Sequence, residues 1–219
     1  MYYAYIITLH IVAIIALSLS GKLDKGSLFR YFAYYLMAIL ILDCYLSNYL
    51  LDYFESTEDK KFYSSKMTNF IQIPLQFIFF SWFYFKRLEN KSVWIKFGAA
   101  IYIIFLIIEG SIRGLNDDIR FFTYSYQIGS FGLMVLTLFY FYELIKSERI
   151  LTFYNERFFY VSTGILLFYL ISLPLHVYFD VFYNSENTLL KTLHTNLAIP
   201  LNITMYSLFA ASYIWGKRD

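Results

Sequence analysis

Three titratable side chains, His10, Asp43 and His176, fall inside apolar text where a charge is expensive. A carboxylate at the centre of a bilayer costs about 2.5–3.5 kcal/mol even on lenient insertion scales. Asp43 is therefore expected to be protonated, paired or facing water. Amides and hydroxyls recur at helical spacing around these residues. Asn69, Gln72 and Gln76 follow i, i+3, i+7, while Ser172, His176 and Asp180 follow i, i+4, i+8, so each set shares one helix face. Asn196 and Asn202 join the same group. Their chemistry is hydrogen bonding to a small polar or amphipathic molecule, with Asp43 and His10 at the floor of the site. The bland alternative is helix–helix glue, worth about 0.6 kcal/mol per bond on average.

Other chemistries are poorly served. The histidines number three (His10, His176, His194) with no His-x-x-x-His pair, which does not suit a zinc site. Cys44 is the single cysteine, so neither an internal disulfide nor a thiolate cluster can form. No Gly-x-Ser-x-Gly elbow or glycine-rich phosphate loop occurs. A retinal Schiff base needs a lysine within the last span, and Lys191 and Lys217 both lie outside it. Neither an enzyme nor a cofactor is expected.

The elements that would position these groups are membrane helices. Hydrophobic residues make up 59% and charged residues 16% of the chain, against about 45–50% and about 25% in soluble domains. So much apolar surface exceeds what one soluble core can hide, and the lipid bilayer is the expected solvent. A net charge of +2 offers no basic face for nucleic acid. Seven apolar runs are long enough for helices across about 30 Å of hydrocarbon: about 2–20, 31–54, 67–86, 93–110, 122–146, 158–181 and 194–215. The runs lack the alternation of a lipid-facing strand, so the expected fold is an all-α, seven-helix integral membrane domain. With the N-terminus outside, the inner breaks hold twelve Lys and Arg and the outer breaks six. The positive-inside rule then predicts N-out and C-in. Glu109, Asp52 and Asp180 are expected at the outer boundary, solvated. The breaks are short and Asp219 closely follows the last span, so function is expected inside the bundle or through a membrane partner.

All three prolines share a context: Ile73-Pro74-Leu75-Gln76, Leu173-Pro174-Leu175-His176 and Ile199-Pro200-Leu201-Asn202. Each is expected to bend a helix and free the carbonyl four residues back, with the polar residue two places on facing a neighbouring helix or cavity. Pro74 and Pro200 lie 126 residues apart, Arg30 and Arg157 127, and Asp52 and Asp180 128. These offsets allow a three-plus-one-plus-three parallel repeat, as in some carriers. The depth of the polar residues predicts a cavity open to the outside, closed inwards by aromatic text such as Phe77–Phe85 and Leu133–Tyr142.

From residue 65 to 215 the chain resembles a group of small, uncharacterised seven-helix membrane proteins of Bacteroidota. The likeness lies in TNFIQIPLQFIFFSWFYFKR (68–87), FYFYELIKSERI (139–150), RFFYVSTGILLFYLISLPL (157–175) and LHTNLAIPLNITMYSLFAASYIW (193–215). Tyr160 stands where Trp is usual in that group, and Gln76 where an acid is common, which weakens any proton-coupled role. Genes of the group often neighbour histidine-kinase genes, so the resemblance implies a sensory or accessory role beside a membrane kinase. The alternatives are a small-solute carrier similar to SWEET and PQ-loop proteins, and a structural subunit of a membrane complex. Against the carrier, this chain has Pro-Leu-Gln where the PQ-loop group has Pro-Gln.

Overall fold

The computed structural model describes residues 2–42, 71–88, 92–115, 123–177 and 188–217; the side chains of 2–3, 92, 94, 113–115, 123, 176–177 and 188–195 lie outside that description. The described residues form seven α-helices: α1 (Tyr2–Ser20), α2 (Leu28–Leu40), α3 (Ile73–Arg87), α4 (Ser92–Leu115), α5 (Thr123–Lys146), α6 (Arg157–Val177) and α7 (Thr188–Ile214). A 3-10 segment, Glu148–Asn155, joins α5 to α6. No strand occurs among the described residues. Four helical stretches are long and apolar enough to cross a membrane: Ile95–Ile112, Tyr124–Lys146, Arg157–Leu175 and Asn196–Ile214. Ala4–Ser20 and Leu28–Leu40 are apolar but shorter.

The helix limits depart from the expected spans in instructive places. α4 continues to Leu115, past Glu109, because that carboxylate is taken up by the next helix instead of facing water. α7 begins at Thr188, six residues before the expected start. Pro174 and Pro200 stand inside α6 and α7, as expected of bending prolines. Pro74 occupies the first turn of α3, but residues 71 and 72 ahead of it are already helical, with π geometry. There its missing N–H removes no bond within that α-helix, and its fixed φ suits the position. The carbonyl assigned to it, that of Phe70, lies outside the described residues.

The chain divides into two units, residues 1–36 with 133–219, and residues 37–132. In the first, α6 and α7 run antiparallel. Gly164 lets them approach: a Cβ there would stand 3.3 Å from the Met205 carbonyl oxygen and from the Phe209 ring. Small residues allow this in lipid, where close packing replaces the hydrophobic drive between helices. α2 is amphipathic, burying Phe29, Phe32, Ala33 and Leu36 while Tyr31 and Tyr34 stay exposed. The buried face meets α7 antiparallel through Phe32–Phe209 (5.1 Å) and Phe29–Tyr213 (5.9 Å). Phe29 also packs edge-on to Phe158 of α6, at 5.5 Å. Tyr213 closes the layer by donating its hydroxyl to the Phe29 carbonyl at 2.6 Å. The starts of α2 and α6 and the ends of α5 and α7 thus gather at one end. Arg30, Lys146, Arg149, Arg157 and Lys217 all belong to that end.

In the second unit α3 and α4 form an antiparallel hairpin, seen in Phe77–Tyr102 ring contact at 5.2 Å. The first turns of α5 join it through Tyr126, 5.8 Å from Phe77. α4 has its apolar side turned outwards, with Ile104, Ile107, Ile108 and Ile112 exposed. Only 17% of its apolar window is buried. An exposed apolar face of this extent is what hydrocarbon, not water, would cover.

Candidate functional site

α3 carries three distinct faces, because residues advance by about 100° around a helix. Ile73, Phe77, Phe80 and Tyr84 make the buried face. Gln72 and Gln76, one turn apart and half-buried, lie on a second stripe. Gln72 already has helical geometry (φ −69°, ψ −48°) immediately ahead of Ile73. Among the described residues no hydrogen bond engages either amide. Ile78, Ser81, Trp82 and Phe85 make the third face, which forms one wall of a cavity of about 230 Å³ against α4.

The other expected site residues are placed differently. His10 is half-buried on α1, and its Nδ1 donates to the Ile6 carbonyl at 2.8 Å. A carbonyl only accepts, so that nitrogen carries a proton. Asn202 turns its Nδ2 onto the Ala198 carbonyl of its own helix, 2.9 Å away. The residue two places after Pro200 therefore bonds locally with its amide nitrogen. A polar side chain within a helix has this option whenever the carbonyl four residues back is in reach. Asn196 is exposed. The side chain of His176 and the whole of Asp43 lie outside the described residues. The structure thus brings Gln72 and Gln76 together in the second unit. It places His10, Asn196 and Asn202 in the first.

Two acidic residues have roles that the sequence reading missed. Glu109 was expected in solvent, yet it is 6% exposed. Its Oε2 accepts the backbone N–H of Ser125 at 2.7 Å and the Ser125 hydroxyl at 2.6 Å, while Oε1 accepts the Tyr124 N–H at 3.2 Å. The carboxylate of α4 therefore caps the first turn of α5, satisfying orphan donors and meeting the positive end of the helix dipole. One signal was present: α5 has no acidic residue in its own first turn. Glu156, 3% exposed, accepts the Tyr140 hydroxyl at 3.2 Å and pairs with Arg149 at 3.5 Å. The Lys217 N–H donates to the neighbouring Asn155 carbonyl at 2.8 Å, so the end of α7 is tied to this cluster.

Within the second unit, the hydroxyls of Tyr102 and Ser130 are buried without a hydrogen-bond partner among the described residues. No three His, Cys, Asp or Glu side chains among the described residues stand close enough to hold a metal ion. Comparison with protein-family models, curated proteins and solved structures finds no match to this chain. The likeness to the small seven-helix group rests on its motifs alone.

Proposed function

We propose that the chain is a non-enzymatic sensory or accessory protein with seven membrane spans, N-out and C-in, in a bacterial inner membrane. It binds a small or amphipathic molecule in the outer half of the bundle and acts through a membrane partner such as a histidine kinase. The observation that carries the binding role is the Gln72–Gln76 stripe. Two half-buried amides sit one turn apart on a largely apolar and aromatic helix, with donors and acceptors that meet no partner among the described residues and that a ligand can satisfy. The orientation is supported by the basic residues at the gathered helix ends of the first unit. Phe29, Phe32, Phe158 and Phe209, all fully buried, fill that end with rings and offer no polar step to a solute leaving there. This favours a receptor over a carrier, although Pro174 and Pro200 inside α6 and α7 are the feature a carrier would share.

Native mass spectrometry of protein gently extracted from its own membrane tests the binding role. A stoichiometric small-molecule adduct is expected, and Gln76→Leu or Gln72→Leu should each weaken its retention about tenfold, the worth of one lost hydrogen bond. A protein free of any adduct, or an adduct indifferent to both changes, replaces the binding role with that of a structural subunit.

A further inference from the structure

The cavity between α3 and α4 lies on the opposite side of α3 from the glutamine stripe, and the proposed ligand does not account for it. Its walls are Ile78, Trp82 and Phe85 from one helix and Ala99, Tyr102 and Ile103 from the other, with Ser81 and Lys96 the remaining polar contributors. Ala99 is the cause of the space: a small residue faces two large aromatic ones across the antiparallel pair. At about 230 Å³ the cavity falls below the usual range of roughly 300–1,000 Å³ for compact drug-sized ligands. It is elongated along the hairpin instead, since Lys96 to Ile103 spans about 10 Å of helix.

One end of this groove is basic. Lys96 is exposed and holds its ammonium 5.2 Å from the Phe85 ring centroid. Lys86, also exposed, ends α3 nearby in sequence. Among the described residues no acidic side chain lines the cavity; Glu89 and Lys91 of the connecting link lie outside them. An apolar channel with a cation at one mouth is complementary to an anionic amphiphile. In the proposed orientation that mouth meets the inner leaflet, where anionic headgroups concentrate and each Lys or Arg adds to attraction.

We infer that the α3–α4 groove is a binding site for an anionic phospholipid, with one acyl chain along Trp82, Phe85 and Ala99 and the headgroup phosphate at Lys96. The depth assignment rests on the proposed C-in orientation; the lipid selectivity does not, because vesicles of symmetric composition present the same headgroup on both sides. Trp82 supplies the probe. In a Trp94→Phe, Trp215→Phe background it is the single tryptophan of the chain. The protein is reconstituted in phosphatidylcholine vesicles, and either brominated phosphatidylglycerol or brominated phosphatidylcholine is titrated in.

Half-maximal quenching of Trp82 should need about tenfold less of the brominated phosphatidylglycerol. Lys96→Glu should erase that preference while quenching by brominated phosphatidylcholine persists. Ala99→Leu, which fills the groove, should reduce the preference without reversing it. Circular dichroism identifies any variant that fails to fold, and Lys96→Gln then replaces Lys96→Glu. Equal quenching by the two lipids in the parent protein, or a preference that survives loss of the Lys96 charge, overturns the assignment.

Discussion

Glu109→Ala lowers stability by about 2–4 kcal/mol, the expected cost of leaving the buried Ser125 N–H and hydroxyl, and the part-buried Tyr124 N–H, without an acceptor. Three hydrogen bonds converge on one carboxylate that is 6% exposed. The loss is larger than that of an ordinary cap, about 0.5–2 kcal/mol, because the acceptor is buried and shared by two donors on the backbone and a hydroxyl. In a fixed detergent this corresponds to a fall in Tm of roughly 5–15 °C. Glu109→Gln keeps one acceptor oxygen and should lose about half as much. Ser125→Ala, which removes only the hydroxyl contact, should cost about 1 kcal/mol. Indistinguishable melting of Glu109→Ala and the parent would falsify the capping role.

Gly129→Val is the second disruptive change. A Cβ at position 129 would already lie 2.8 Å from Cγ, Cδ2 and Cε2 of Phe77, the body of the ring and not a flexible tip. The ring is held on its other sides by Tyr102 and Tyr126 at centroid distances of 5.2 and 5.8 Å. It cannot turn away without disturbing both. Overpacking of this kind costs about 1–3 kcal/mol, and the β-branched side chain adds to it. Phe77→Ala alone should cost about 3–5 kcal/mol through the cavity it leaves. Combined, the two changes partly relieve each other, and the double variant should be about 1–3 kcal/mol more stable than additivity predicts. Strict additivity in denaturation of the four proteins would mean that Gly129 and Phe77 do not meet.

The helices were legible from the chain because apolar runs separated by charged breaks leave little choice in lipid. α1 at Tyr2–Ser20 ends where Gly21-Lys22-Leu23-Asp24 begins, and α5 at Thr123–Lys146 fits its expected span to one residue. The three prolines show the limit of that reading. Their flanks are nearly identical, yet Pro74 stands where π-helical backbone passes into α3, while Pro174 and Pro200 lie well inside α6 and α7; a tetrapeptide does not encode its place along a helix.

Tertiary register explains what else was hidden. Glu109 looks solvated at the end of an apolar run until α5 is placed beside α4, fifteen or sixteen residues on. The groove requires the pairing of Ala99 with Trp82 and Phe85, which follows only from the antiparallel alignment of α3 and α4. In the sequence, Asn202 reads as a residue lining the polar site and His10 as one at its floor. The donor bonds observed for both instead go to carbonyls four residues back on their own helices.

Two-sided cysteine labelling distinguishes a multi-pass protein whose basic helix ends face the cytoplasm from one inserted the other way. Cys44 is replaced by Ser to remove the one native thiol. Single cysteines are then introduced as Glu148→Cys, exposed at the basic end, and Thr57→Cys, in the charged break after the second expected span. A membrane-impermeant maleimide is applied to spheroplasts and to inverted vesicles. Position 57 should label only in spheroplasts and position 148 only in inverted vesicles. Labelling of both positions from the same side, or of position 148 in spheroplasts alone, contradicts the proposed topology and the inner-leaflet placement of the groove with it.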